Sequence, residues 1–165
     1  MPPPALLDLG KVDFSQVLAD KTAVQKVIPQ RFEMAQLDAI VFEDKNITVG
    51  YKDITHEEFW IRGHMPDFPL MPGVMLCEAG AQLCSYFLMK DKKIDCDFMG
   101  FGGMEEVVFR KSVFPGQRLI LIAEMTKVNR RQIVSEVQGF VKNGEDFDMV
   151  FHARIIGMPL RSPKS

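Results

Sequence analysis

Two residues able to do acid–base chemistry, His64 and Glu78, stand fourteen positions apart on either side of Met71-Pro72-Gly73. Glu78 is the only charged residue between Val74 and Met89. A carboxylate in such apolar surroundings loses hydration that something must replace. Two readings stand side by side. Glu78 is either a structural carboxylate held by an arginine or by backbone donors, or a proton donor whose pKa burial raises toward neutrality. A lone loop histidine is more often incidental, yet His56 and His152 sit in polar or alternating contexts, so His64 is the best candidate base. Gly73, at the start of the apolar run, would offer a backbone N–H at the positive end of a helix dipole with no side chain to block a carbonyl oxygen. A base, an acid and an oxyanion site are the parts needed to abstract a proton α to a thioester and expel a β-hydroxyl.

The elements that would position these groups can be read from pattern. Val74–Met89 is apolar on every side and predicts a helix buried in the core. The segment before it carries Pro66, Pro69 and Pro72, which forbid regular helix or central strand, so His64 lies in an ordered loop. Helical spacing from Phe14 to Val27 predicts an amphipathic helix stopped at Pro29. Strand-like runs cover 37–42 and 46–54, with a polar turn between them, and then 98–101, 105–109, 119–128, 133–142 and 146–156. Asn143-Gly144 is a strong hairpin signal and Asn129-Arg130-Arg131 a weaker one. The last strand alternates, with Phe147, Met149, Phe151, Ala153 and Ile155 predicted on one face and Asp148, His152 and Arg154 on the other. An antiparallel sheet with one thoroughly apolar helix implies an α+β fold in which the sheet curls around the helix. Residues 1–165 are expected to form one domain, with 1–13 a loose lead-in and 159–165 a flexible tail.

Composition removes several function classes. A hydrophobic fraction of 47%, a charged fraction of 25% and a net charge of -2 give no global field for a polyanion, so nucleic acid is not an expected partner. No run approaches the length of a bilayer span and Met1-Pro2-Pro3-Pro4 is unlike a signal peptide, so the expected location is the cytoplasm with no membrane insertion. Cys77, Cys84 and Cys96 form neither a disulfide framework nor metal-ligand spacing. On one helix Cys77 and Cys84 would lie about 10.5 Å apart, too far to bridge, so they read as small buried hydrophobes. No metal and no cofactor is expected. The eleven methionines suit core gaps or an adaptable apolar channel.

The run Gly63-His64-Met65-Pro66-Asp67-Phe68-Pro69-Leu70-Met71-Pro72-Gly73-Val74, followed by Glu78-Ala79-Gly80-Ala81-Gln82, resembles the signature of the bacterial 3-hydroxyacyl-[acyl-carrier-protein] dehydratases. Weaker similarity at Ile28-Pro29-Gln30-Arg31-Phe32 and at Phe109–Leu119 extends the resemblance over roughly residues 24–156. It implies the hotdog fold, a curved antiparallel sheet wrapped around a long central helix. It also implies an active site at a dimer interface, with dimers that often gather in threes, where His64 of one subunit faces Glu78 of the other. His64 would then take the C2 proton, Glu78 would protonate the departing hydroxyl, and the Gly73 N–H would polarise the thioester carbonyl. Glu rather than Asp at position 78 points to dehydration without isomerisation. The implied substrate is a (3R)-3-hydroxyacyl chain on an acyl carrier protein, converted to the trans-2-enoyl product in fatty acid biosynthesis. Arg110, Lys111, Arg118, Arg130 and Arg131 are candidates for docking that acidic partner, although any one of them also reads as a solvated strand end. Met65 stands where the family has Phe, Gln30 where it has His, and Glu33-Met34-Ala35-Gln36 replaces its apolar run. Two alternatives remain, a hotdog thioesterase and a non-catalytic or specialised acyl-binding paralogue.

Overall fold

The computed structural model describes residues 1–92 and 94–162. The chain opens with a 3-10 turn, Leu9–Lys11, and reaches β1 (Ala19–Asp20) and α1 (Lys21–Val27). A second 3-10 turn, Phe32–Met34, precedes the hairpin of β2 (Ala39–Asp44) and β3 (Ile47–Asp53). After the Pro-rich loop come α2 (Gly73–Met89), β4 (Phe98–Phe109), β5 (Arg118–Val128), β6 (Ile133–Asn143) and β7 (Asp146–Leu160). Among the described residues the strands form one antiparallel sheet in the order β1-β2-β3-β5-β6-β7-β4. This is the hotdog arrangement: α2 lies in the hollow of the sheet, where Leu83, Phe87 and Ala79 pack with Leu119, Leu121, Val137 and Phe151.

Several elements depart from their expected form for identifiable reasons. The helix expected over 14–27 is confined to Lys21–Val27, because the Asp20 carboxylate caps it by accepting from the Ala23 N–H at 2.8 Å. Leu18 instead donates its N–H to the Ile40 carbonyl, leading into the short pairing of β1 with β2. The runs 98–101 and 105–109 are a single strand, bent by register shifts between Phe101 and Gly103 and between Glu105 and Val108. The alternation of β7 is also broken. Gly139 pairs with Phe151 and Phe140 with Met149, so Val150 is an extra residue. Phe147 and Met149 therefore pack on the outer face of the sheet while Phe151, Ala153 and Ile155 pack on the inner one. At Asn143-Gly144 the hairpin forms as expected, with Gly144 at φ 63°.

The lead-in and residues 159–162 are more ordered than expected. Leu9 and Val12 are buried on the outer sheet face beside Val49, Ile122 and Phe140, with Leu6, Leu7 and Phe14 packed around them, so the lead-in is not loose. Gln138 fastens it, accepting from the Leu6 N–H and donating to the Pro4 carbonyl, both at 2.9 Å. At the other end Pro159 and Leu160 belong to β7, Ser162 donates its N–H to Asp97 at 2.7 Å and Arg161 pairs with Asp95. The remainder of the expected tail, 163–165, lies outside the described residues.

Candidate active site

The helix that carries Glu78 is apolar all round, but its own sheet does not cover every side. Eleven of its residues are buried, whereas Val74 is 69% exposed and Glu78, Ala81 and Ser85 are half-buried. Positions 74, 78, 81 and 85 follow helical spacing, so they make one stripe left open on the molecule. The expectation of burial on every face is corrected accordingly.

No ion pair to Glu78 forms among the described residues. Its Oε1 accepts a hydrogen bond at 2.8 Å from the side-chain amide of Gln82, one turn further along the helix. The same Gln82 nitrogen donates to the Met34 carbonyl at 2.6 Å, and the Gln82 oxygen accepts from the Gln36 N–H at 2.8 Å. Gln82 is 1% exposed. The acid is thus held by a neutral, fully engaged amide rather than by an arginine, which removes the paired-cation form of the structural reading.

Glu78 and Gln82 line a cavity of about 90 Å³ between α2 and strands β4, β6 and β7. Gln30 lines it too, and its side-chain oxygen is buried with no hydrogen-bond partner among the described residues. In the sequence Gln30 stands out only as a departure from the family pattern and Gln82 only as part of a motif. The polar residue type at an otherwise apolar helix position was the available signal for Gln82.

His64 is half-buried in the Pro-rich loop, where its N–H reaches the Trp60 carbonyl at 2.7 Å. The next residue, Met65, has φ 51°, a left-handed conformation that costs a side-chain-bearing residue energy. The loop is pinned by Met71, whose N–H meets the Val113 carbonyl at 2.7 Å, and by Phe68 packing edge-on to Phe114 with centroids 5.1 Å apart. Neither His64 nor Gly73 lines the cavity that holds Glu78.

Gly73 is the first residue of α2, so its N–H has no intrahelical acceptor. It borders a second, apolar pocket with Leu70, Met71, Val74 and Phe109. A Cβ on Gly73 would stand 2.8 Å from Phe109 Cζ, so any other residue there must displace that ring.

Arg110 and Lys111 border this helix-head pocket as well. Lys111 pairs with Asp148 at 2.8 Å, and Arg110 Nε donates to His152 Nδ1 at 3.4 Å. Arg118 is engaged elsewhere: it holds Asp53 through two bonds of 2.6 and 2.8 Å and lies 3.7 Å over the Tyr51 ring. Arg130 and Arg131 sit at the β5–β6 turn, which Asn129 closes by accepting from the N–H groups of Arg131 and Gln132, both at 2.9 Å. The five basic candidates do not form one patch.

Burial pushes the Cys77 thiol up to about 11 and the Cys84 thiol up to about 12, as fits small buried hydrophobes rather than nucleophiles. All three cysteines are free. No cluster of His, Cys, Asp or Glu among the described residues could hold a metal ion, and no helix of the described residues is long and apolar enough to cross a membrane.

The family model of the FabA-like domain matches residues 28–149 of this chain, from ahead of β2 into β7. The chain belongs to that family. It is 36% identical over 110 residues to 3-hydroxyacyl-[acyl-carrier-protein] dehydratase FabZ of Clostridium botulinum (strain Loch Maree / Type A3), covering 66% of this chain and 76% of that one. The enzyme of the same description from Neisseria meningitidis serogroup C is also 36% identical over 110 residues, covering 65% and 74%. Among solved structures, the dehydratase heterocomplex ApeI:P from Xenorhabdus doucetiae shares the fold at a TM-score of 0.70 and 14% identity, over 86% of this chain and 91% of that one.

Proposed function

We propose that this protein dehydrates (3R)-3-hydroxyacyl thioesters carried on acyl carrier protein to the trans-2-enoyl products, in fatty acid biosynthesis. His64 takes the proton from C2, the C2=C3 double bond forms as the C3–O bond breaks, and Glu78 gives its proton to the leaving hydroxyl, which departs as water. The Gly73 N–H steadies the negative charge that gathers on the thioester oxygen while the C2 proton leaves. No metal or redox cofactor takes part in this scheme, and the site of action is the cytoplasm.

The observation that carries the reading is the separation of acid and base within one chain: Glu78 opens on the uncovered stripe of α2, in a cavity His64 does not line. A second copy supplies the missing half. The unpaired edge of β4, with Phe101, Met104, Val108 and Phe109 exposed, offers it an apolar docking edge, so a homodimer is the working unit and three dimers can gather. Arg110 and Lys111, beside the head of α2, are the best placed of the basic residues to meet an acidic carrier.

Complementation tests both parts. Wild type is expected to hydrate a crotonyl thioester, and His64→Ala or Glu78→Gln alone to lose roughly 10²–10⁴-fold. Co-expressed, the two variants form mixed dimers in which one site keeps both groups, restoring about a quarter of wild-type activity. Release of free thiol without hydration would replace this reading by a thioesterase. Hydration that mixing fails to restore would place the acid and base in one chain.

A further inference from the structure

The cavity that holds Glu78 runs along α2. Glu78, Ala81, Gln82, Ser85 and Leu88 line its helical side at spacings of three and four, over about 15 Å of helix axis. Ile133, Ile155, Met99 and Gly157 line the side facing them. The polar Glu78 and Gln82 stand at the N-terminal end of this stripe and Leu88 at the other.

Met99 stands at that other end. The Cys96 sulfur lies 3.4 Å from the Met89 sulfur, at the last turn of α2, and 3.9 Å from that of Met99, which places Met99 beside the helix terminus. Its terminal methyl rests on Gly157, where an added Cβ would stand only 2.9 Å from Met99 Cε. The absence of a side chain at Gly157 thus decides where the thioether lies.

We propose that Met99, laid across Gly157, is the end wall of an acyl slot and sets the longest acyl chain this protein accepts. The assignment rests on the dehydratase reading for what enters the slot, while the slot itself can be tested without turnover.

The probe is a series of uncleavable S-alkyl pantetheine thioethers of increasing chain length, bound to the full-length protein and followed by calorimetry. In wild type, Kd should fall about fourfold per added methylene until the chain meets Met99, and then level off. Met99→Ala removes three side-chain atoms and should move the plateau outward by about three carbons. Gly157→Ala, at a residue whose φ is not left-handed, should press the thioether into the slot and move the plateau inward. Plateaus that coincide in all three proteins overturn the end-wall assignment. Crotonyl thioester hydration is assayed on the same samples, so plateaus that shift in proteins unable to hydrate overturn the dehydratase reading alone.

Discussion

Gln82 holds Glu78 to the second 3-10 turn: one side-chain nitrogen reaches the Glu78 carboxylate at 2.8 Å and the Met34 carbonyl at 2.6 Å. The acid is thereby aimed by a segment 44 residues upstream as well as by its own helix. Gln82→Leu keeps the volume and removes all three bonds, leaving the Gln36 N–H and the Met34 carbonyl without partners. Stability should fall by about 1–3 kcal/mol. Once the carboxylate swings free, kcat should drop about tenfold with KM nearly unchanged. Thermal melts and steady-state kinetics check the two effects; a loss confined to KM would mean that Gln82 touches substrate instead of aiming the acid.

The head of α2 allows a steric test. Gly73→Ala keeps the N–H but drives a methyl against the Phe109 ring, from 2.8 Å at the nearest atom. Phe109 is 51% exposed and can swing away, so the melting temperature should change little. The helix head, shifted by tenths of an ångström, should lose turnover by about 10²-fold, in the range expected for a displaced oxyanion donor. Phe109→Ala combined with Gly73→Ala frees the methyl and should recover part of that loss, a coupling that a double-mutant cycle measures. Equal losses in the single and double variants would remove the clash as the cause.

Much of this framework is legible in the sequence because its signals are local. The period of the strands, the Asn143-Gly144 turn and the apolar run of α2 each depend on a few adjacent residues. What is hidden depends on partners far along the chain. The extra residue at Val150 is set by pairing with β6, so strict alternation misplaced Phe147 and Met149. The lead-in read as loose because its few apolar residues have no regular period, and only the outer sheet face gives them a place to bury. Likewise, an apolar helix looks the same in sequence whether its last open stripe is covered by its own sheet or by another molecule. The role of Gln82 depends on Gln36 and Met34, 46 and 48 residues upstream.

Titration of His152 gives a pH-dependent test. Burial, and then the neighbouring Arg110 guanidinium, push this imidazole below its usual 6.5, against a weaker opposing pull from Glu136 and Glu106. With the folded pKa below the unfolded one, the unfolded chain binds the extra proton first. Stability contributed by His152 is therefore present above pH 6.5 and is lost as the pH falls from there through the folded value. Arg110→Ala removes the second cause and should move the His152 titration upward when followed by NMR. His152→Gln should flatten the acid limb of the stability profile over that window. An Arg110→Ala titration curve that overlies wild type would show that the guanidinium exerts no field there.

The N-terminal strap is the feature of this chain that lies furthest outside the matched family region, which begins at residue 28. Leu9 and Val12 cover Val49, Ile122 and Phe140 on the convex side of the sheet, and Gln138 ties the strap down through two backbone groups. Leu9→Ala empties a buried site and should cost about 2–5 kcal/mol, toward the low end because a surface strap can settle into the space. Removing residues 1–14 should expose a contiguous apolar sheet face, lower the melting temperature and produce concentration-dependent light scattering. The active-site loop and α2 lie on the opposite side of the sheet, so activity per folded molecule at low concentration should persist. A truncated protein that melts like wild type and stays monodisperse would show that the strap lies on the sheet without stabilising it.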